Sequence, residues 1–293
     1  MTGNKKNTIL ITGGNGFLGS NIVKALIDQY TIIILEKNID AVSRLQEIKD
    51  KLILIDVDDV NLDQIFIDYQ IDIIIHTATI YGRNQESIDQ ILTTNLALPL
   101  KLITVGIQHQ ARVFINTDTV LDKFVSPYAL TKSHLRDWLT LYSNKIKVVN
   151  LQLEHFYGPG GSMDNFISLM ITKMLNNESE IALTEGKQLR DFVYFKDVVS
   201  AYLTIIDNLD DISEQFSNYQ IASGEVISIR DLVECIKRIT NSSSELKFGE
   251  LPYRPNELMH PETDNSKLVN LGWHAKVDLD SGLLETIEYI KKK

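Results

Sequence analysis

The run Ile9-Leu10-Ile11-Thr12-Gly13-Gly14-Asn15-Gly16-Phe17-Leu18-Gly19 constrains the fold more than any other stretch. A short apolar segment meets glycines at 13, 16 and 19. Leu18, Ile22, Val23 and Leu26 then recur on one helical face. The order is strand, tight turn, helix. Gly13 permits the turn, Gly16 lets backbone N–H groups approach a pyrophosphate, and Gly19 lets the helix lie against the strand. An anion then sits at the helix N-terminus, where free N–H groups and the helix dipole favour negative charge. The context predicts a dinucleotide site built on Gly13, Asn15, Gly16, Phe17, Leu18 and Gly19.

Further apolar runs alternate with helical patterns: Thr31–Leu35, Leu52–Asp56, Asp72–His76, Arg112–Asn116 and Lys147–Leu153 follow Thr8–Thr12. Each is short, rich in β-branched residues and apolar on both faces, as strands of a buried parallel sheet are. The fold class is α/β, a doubly wound parallel (Rossmann) sheet with a smaller C-terminal substrate-binding α/β domain. Residues 1–155 read as the dinucleotide-binding domain. Residues 156–293 read as the substrate-binding region, with some segments returning to the first domain. Helices are expected near Phe166–Asn176, Asp197–Asp207, Ser228–Thr240 and Ser281–Lys292.

The chain has 293 residues and a net charge of −10, which argues against nucleic acid or an anionic membrane as partner. An anionic substrate must then be held by a few placed arginines. The single cysteine, Cys235, excludes an intrachain disulfide and reads as a small core residue. The six histidines show no metal-ligand spacing, so no metal is expected. With no apolar signal core and no run of 18 apolar residues, a reduced, cytoplasmic protein is expected.

The second strand ends at Glu36, about 20 residues beyond the glycine turn. An acid there accepts hydrogen bonds from the adenosine ribose and repels a 2′-phosphate, so NAD(H) is favoured. Lys37 beside it keeps NADP(H) open, and a surface acid at a strand end would look the same. Asp56 and Val57 close the third strand, where an adenine edge or a plain turn is equally served. His76-Thr77-Ala78-Thr79-Ile80-Tyr81-Gly82-Arg83 follows the fourth strand. Thr77, Ala78 and Thr79 are small residues at the carboxyl edge, where open α/β sheets bind ligands. His76 alone fits a packed core histidine. Arg83 fits a solvated loop charge or a phosphate contact.

The fifth strand leads into Phe114-Ile-Asn-Thr-Asp-Thr, and Ser126-Pro127-Tyr128-Ala-Leu-Thr-Lys132 follows soon after. Pro127 suits the first turn of a helix, which places Tyr128 and Lys132 on one face at i and i+4. A tyrosine titrates near 10. A nearby ammonium and an oxidised nicotinamide ring would favour its phenolate, giving an acid/base that works near neutrality.

These segments together resemble the extended short-chain dehydrogenase/reductase superfamily. The likeness extends to Leu151–Gly160, to Arg190-Asp-Phe-Val-Tyr-Phe-Lys-Asp-Val198, and to Asp264-Asn-Ser-Lys267 with Leu271-Gly-Trp273. Within it, Phe114–Thr119, Leu153–His155 and Arg190–Phe192 look most like the nucleotide-sugar 4-ketoreductases. Those reduce the 4-keto group of a 4-keto-6-deoxyhexose carried on CDP or dTDP, a step of the deoxysugar biosynthesis that feeds O-antigen. The resemblance implies Thr119 as the hydroxyl that polarises the substrate, Tyr128 as the acid/base, and Lys132 as the residue that holds the nicotinamide ribose and tunes Tyr128. Thr117 is the fallback hydroxyl and, with Asn95, a cofactor contact. Asp118 between the threonines departs from the superfamily's common Ser-Ser pair, and the loop to Tyr128 is short. Tyr81, Arg83, His155, Arg190, Arg254 and Glu257 are the implied substrate contacts. Arg190 and Arg254 grip the diphosphate, Glu257 meets a ribose, and His155 stands where many relatives have Asn. Helices Ser87–Gln108 and Pro127–Tyr142 match those that pair in a homodimer of relatives.

Reduction of a nucleotide-linked 4-ketosugar is the first expectation. A nucleotide-sugar 4-epimerase would use the same residues, with its cofactor oxidised and then restored. A dehydratase fits less well, because that branch places an Asp-Glu pair after its hydroxyl and Val120-Leu121 stand here. A non-catalytic NAD(P)-binding sensor on the same fold is the remaining alternative.

Overall fold

The structure is a computed structural model that describes residues 7–58, 60–254 and 257–293. Clustered by contact, the chain divides into two compact units, one comprising residues through Gln152 with Ile205–Tyr219, the other Leu153–Thr204 with Gln220–Lys293. The segment that returns to the first unit is thus 205–219.

In the first unit the order is β1 (Thr8–Thr12), α1 (Phe17–Leu26), β2 (Thr31–Glu36), a 3-10 segment (Ser43–Lys51), β3 (Ile53–Asp56), α2 (Leu62–Tyr69) and β4 (Ile73–His76). There follow α3 (Ile88–Leu92), a π segment (Thr93–Ala97), α4 (Leu98–Gln108), β5 (Val113–Thr119), α5 (Pro127–Tyr142) and β6 (Lys147–Leu153). Parallel pairs join β1 to β2, β2 to β3, β1 to β4 and β4 to β5. The seven-stranded sheet runs β10-β6-β5-β4-β1-β2-β3, with β10 spanning Phe216–Ile221. The sheet order reverses between β1 and β4, the kind of switch point at whose carboxyl edge open α/β sheets bind ligands. Every residue of β1, β4 and β5 is buried, and helices shield the sheet through Leu102, Ile103, Leu135 and Leu139.

The expected helix Ser87–Gln108 is interrupted by the π segment. Pro99, in the first turn of α4, has no N–H to offer the carbonyl of Asn95, so the regular ladder breaks there. By length and composition alone the run Ile88–Gln108 could cross a membrane, yet its Ile91, Leu102, Ile103 and Val105 are buried within the protein. β5 extends three residues beyond the expected Asn116, and this carries Thr117, Asp118 and Thr119 into the sheet.

In the second unit β7 (His155–Tyr157) is followed by α6 (Phe166–Leu175), β8 (Glu180–Leu183), β9 (Leu189–Tyr194) and α7 (Phe195–Asp207). After β10 come β11 (Val226–Ser228), α8 (Ile229–Thr240), β12 (Glu245–Phe248), α9 (Ser266–Asn270) and α10 (Leu279–Lys291). β11-β9-β7 form one sheet and β12-β8 another, over a core that includes Ile171, Met174, Leu232, Ile236 and Leu283. Cys235 lies at the rim of this core rather than inside it, because α8 aims it at the edge. Its thiol faces Asp280 Oδ1 at 3.1 Å, and burial with that carboxylate pushes it up to about 11.

Candidate active site

The glycine turn is as tight as its spacing requires. Gly13 takes φ +68°, and a Cβ there would stand 2.7 Å from the Ala78 backbone. A Cβ on Gly19 would stand 2.2 Å from the Gly13 carbonyl oxygen. The Thr77 hydroxyl donates to the Thr12 carbonyl at 2.7 Å, and the Ala78 N–H reaches Thr12 Oγ1 at 3.3 Å, so β4's end is stitched to the turn. Thr12 Oγ1 also lies 2.8 Å from His76 Nδ1. His76 is fully buried, and desolvation, aided by the Lys132 charge, holds it well below its usual value and so neutral.

A dinucleotide suits this turn. α1 begins at Gly16 with no side-chain cap, whereas α2, α5, α6, α8 and α10 begin on capping Asn61, Ser126, Asn165, Ser228 and Asp278. The first-turn N–H groups of α1, those of Phe17 and Leu18 among them, are thereby suited to an anion. Glu36 ends β2 beside the turn, its Oε2 accepting the Asn15 N–H at 3.3 Å. The Asn15 side chain bonds the Ala41 carbonyl at 3.0 Å and the Arg44 N–H at 3.2 Å, which ties the loop after β2 to the turn. Asp56 pairs in register with Glu36, and the Val57 N–H bonds the Glu36 carbonyl at 3.0 Å, so both lie at the same sheet edge.

The acid/base candidates converge at the end of β5. Ser126 caps α5 by accepting the Ala129 N–H at 3.2 Å, so that the helix starts at Pro127. Tyr128 and Lys132 then face the strand. The Thr119 hydroxyl stands beside the Tyr128 phenol and acts to lower its pKa; it accepts the Leu121 N–H at 3.2 Å. Lys132 is fully buried and its Nζ donates to the Thr117 carbonyl at 2.7 Å. The hydroxyl that meets the phenol is therefore that of Thr119, while Thr117 offers its backbone to the lysine.

The electrostatics differ from the expectation of a lowered phenol. Burial pushes Tyr128 well above its usual value, and Tyr81 and the Asp118 charge push the same way; the Thr119 hydroxyl and Arg83 oppose them. Lys132 sits beneath the ring, 6.0 Å from its centroid, and is itself lowered to about 8 by burial against the pull of Asp118. The phenol of the protein alone is a firmly held acid.

Tyr81 packs on Tyr128 with ring centroids 4.7 Å apart, and the Arg83 guanidinium covers Tyr81 at 5.0 Å. Their loop is fixed by Asn95, which was expected as a cofactor contact. Its amide is fully buried and bonds the Ile80 N–H at 2.8 Å, the Ile80 carbonyl at 2.9 Å, Thr79 Oγ1 at 3.3 Å and Thr131 Oγ1 at 3.1 Å. With its polar atoms so engaged, Asn95 acts on the site through this loop and α5.

The candidate substrate residues of the second unit form their own group. His155 on β7 packs on Phe192 at 5.7 Å, its Nδ1 3.6 Å from Glu154 Oε2. Arg190 on β9 pairs with Glu257 and donates to the Leu189 and Leu258 carbonyls at 2.6 Å each. Desolvation and the nearby Arg254 lower its pKa, while Glu257 and Glu154 raise it. Arg190 and Glu257, expected on diphosphate and ribose, thus hold each other. Asp118, Arg136 and Glu154 were not singled out for this site. Arg136 stands at i+4 from Lys132, a spacing that could have found it.

A Rossmann turn with a Thr-Tyr-Lys set at the end of β5 defines an extended short-chain dehydrogenase/reductase, an NAD-dependent enzyme that modifies nucleotide sugars. The chain belongs to the NAD dependent epimerase/dehydratase family, whose model matches residues 9–222. It is 31% identical to the CDP-abequose synthase of Salmonella typhimurium over 97% of this chain and 98% of that one. It is 28% identical to a putative UDP-glucose 4-epimerase of Methanocaldococcus jannaschii, over 97% and 98%. Its fold is similar to that of UDP-glucuronic acid 4-epimerase from Bacillus cereus, solved with UDP-glucuronic acid and NAD, at a TM-score of 0.83 and 25% identity over 97% and 99% of the two chains.

Proposed function

We propose that this chain reduces the 4-keto group of a CDP- or dTDP-linked 4-keto-6-deoxyhexose to the 4-hydroxy sugar. One observation carries the reading: the Thr119 hydroxyl and the Tyr128 phenol meet, with the Lys132 ammonium below the ring. A reduced nicotinamide, held at the glycine turn and by Lys132, would supply hydride to the keto carbon. Tyr128 gives its proton to the oxygen that becomes alkoxide, and Thr119 hydrogen-bonds that same oxygen. Lys132 stabilises the phenolate left behind and holds the nicotinamide ribose. The protein's share is orientation and charge. The 31% identity to CDP-abequose synthase supports this choice within the family.

Glu36 favours NADH, since its carboxylate accepts ribose hydroxyls and opposes a 2′-phosphate. His155, Arg190, Arg254 and Glu257 are assigned to the nucleotide sugar. A guanidinium fork suits phosphate oxygens once Arg190 trades Glu257 for them. The homodimer is assigned to α3 and α5, whose Ile88, Leu92, Trp138 and Leu141 are exposed apolar residues, and equilibrium sedimentation reads it. The cytoplasm is the expected compartment.

The test is turnover. Purified chain is mixed with NADH or NADPH and with CDP- or dTDP-4-keto-6-deoxyglucose, and loss of reduced nicotinamide is followed. Consumption supports the reading; silence in every combination overturns it. A nucleotide-sugar 4-epimerase is the second reading, favoured by the similarity to UDP-sugar 4-epimerases. It predicts protein purified with NAD bound and no net consumption of added cofactor.

A further inference from the structure

Three successive turns of α5 reach three consecutive residues at the end of β5. Tyr128 meets the Thr119 hydroxyl. Lys132 Nζ donates to the Thr117 carbonyl at 2.7 Å. Arg136 Nε donates to Asp118 Oδ2 at 2.6 Å. The first two contacts belong to the proposed reaction. The third has no part in it so far, yet it occupies the most costly position: the Asp118 side chain has no exposed surface.

A carboxylate taken out of water is tolerated only when its oxygens are met. Asp118 is met on both. Its Oδ1 accepts the Thr119 N–H at 2.8 Å, and its Oδ2 accepts Asn150 Nδ2 at 2.8 Å besides Arg136. Arg136 Nη2 in turn donates to the Thr119 carbonyl at 3.4 Å. One ion pair therefore grips the Thr119 peptide by both its N–H and its C=O. The direct connection cannot do this, because residues 122–125 between strand and helix are exposed loop.

We propose that Asp118 and Arg136 form a positioning pair that locks the strand end bearing Thr119 to the helix bearing Tyr128 and Lys132. The proposal rests on the acid/base reading of Tyr128. It accounts for the acid between the threonines, where the superfamily's usual pair has hydroxyls. Neither residue touches the reacting atoms; they act through Thr119, Tyr128 and Lys132.

The pair also sets a field. His76 from β4, Asp118 and the Thr117 carbonyl from β5, and Tyr128 on its own helix face Lys132. Tyr128 is faced by Tyr81 and Arg83 from the loop after β4 and by Thr119 and Asp118 from β5. Asp118 is the acid that opposes the effect of burial on Lys132. Removing its charge moves the loss of the Lys132 proton to lower pH.

The experiment compares Asp118→Asn, Arg136→Met and Arg136→Lys with the full wild-type chain, using NADH and CDP- or dTDP-4-keto-6-deoxyglucose. A small misplacement of reacting groups costs up to about 100-fold in rate. The expected result is a kcat lowered about 10- to 100-fold in the first two variants, with KM and the NADH dissociation constant near wild type. Arg136→Lys recovers part of kcat. The alkaline limb of kcat/KM moves to lower pH in Asp118→Asn and does not in Arg136→Met. A merely structural pair lowers the melting temperature and leaves kcat and the pH profile unchanged below it; that result overturns the proposal. Should Asp118→Asn fail to fold, wild-type kcat in Arg136→Met overturns it alone. Wild-type turnover by Tyr128→Phe, or silence of the wild type with both sugars, overturns the underlying reading. Unchanged kcat in the pair variants beside an inactive Tyr128→Phe overturns the positioning role only.

Discussion

The hydroxyl of Thr119 stands beside the phenol of Tyr128 and acts to lower its pKa, although one ends a buried strand and the other opens a helix. This supports the proposal of Thr119, rather than Thr117, as the hydroxyl that works with the proposed acid/base Tyr128. Thr119→Ala should therefore lower kcat far more than Thr117→Ala, whose carbonyl still receives Lys132. Steady-state kinetics of the two variants check this. Equal losses, or a larger loss at 117, would contradict it.

The pH dependence follows from Lys132. Reduction uses the ammonium and the protonated phenol. Burial pushes the phenol up, out of the working range, while it brings Lys132 down to about 8. So kcat/KM for reduction should fall as pH rises through about 8 with the slope of one proton. Stability carries the opposite sign. The unfolded chain holds this proton to 10.5 and the folded chain releases it at about 8, so the contribution of Lys132 to stability rises with pH across that window. Lys132→Met should remove the kinetic limb and flatten this part of the stability profile. A limb that persists in the variant belongs to another group.

The glycine turn predicts a steric defect with two readouts. A methyl at Gly19 would stand 2.2 Å from the Gly13 carbonyl oxygen, against backbone that cannot step aside. Gly19→Ala should cost about 1–3 kcal/mol of stability and weaken NADH binding. Thermal melts and nicotinamide fluorescence titration measure both. Unimpaired NADH affinity would place the cofactor elsewhere.

The proposed preference for NADH rests on Glu36, whose carboxylate accepts the Asn15 N–H at the turn. A like charge at 4 Å costs about 1 kcal/mol in bulk water. Glu36→Gln should then improve NADPH relative to NADH by about fivefold. Lys37, whose N–H bonds the Glu36 carboxylate, and Arg44, 5.9 Å from the Phe17 ring centroid, are the nearby cations that would receive the 2′-phosphate. A ratio of the two KM values that does not move would remove Glu36 from this role.

Much of the first unit was legible because it is built from local signals. β1 and β6 coincide with their expected bounds, and α5 begins at its Pro127 and ends at the Tyr142 that the resemblance implied. β5 runs further than the apolar run to Asn116 shows, because the polar Thr117-Asp118-Thr119 stays in the sheet with Asp118 paired to Arg136 and Asn150. The break at 93–97 depends on one missing N–H at Pro99, which a hydrophobic pattern does not register. Arg190 was legible as a cation in a motif, but its bond to Glu257 spans 67 residues and leaves no local trace. That some segments return to the first unit was expected, but which ones, 205–219, leaves no local trace for the same reason.

The most direct test of the account is the single-turnover rate of NADH oxidation by wild type and Tyr128→Phe with CDP- or dTDP-4-keto-6-deoxyglucose, with the NADH dissociation constant measured on both proteins. The account predicts a rate lowered by about 100- to 10,000-fold in the variant at unchanged NADH affinity. Equal rates for the two proteins would show that the phenol of residue 128 does not deliver the proton.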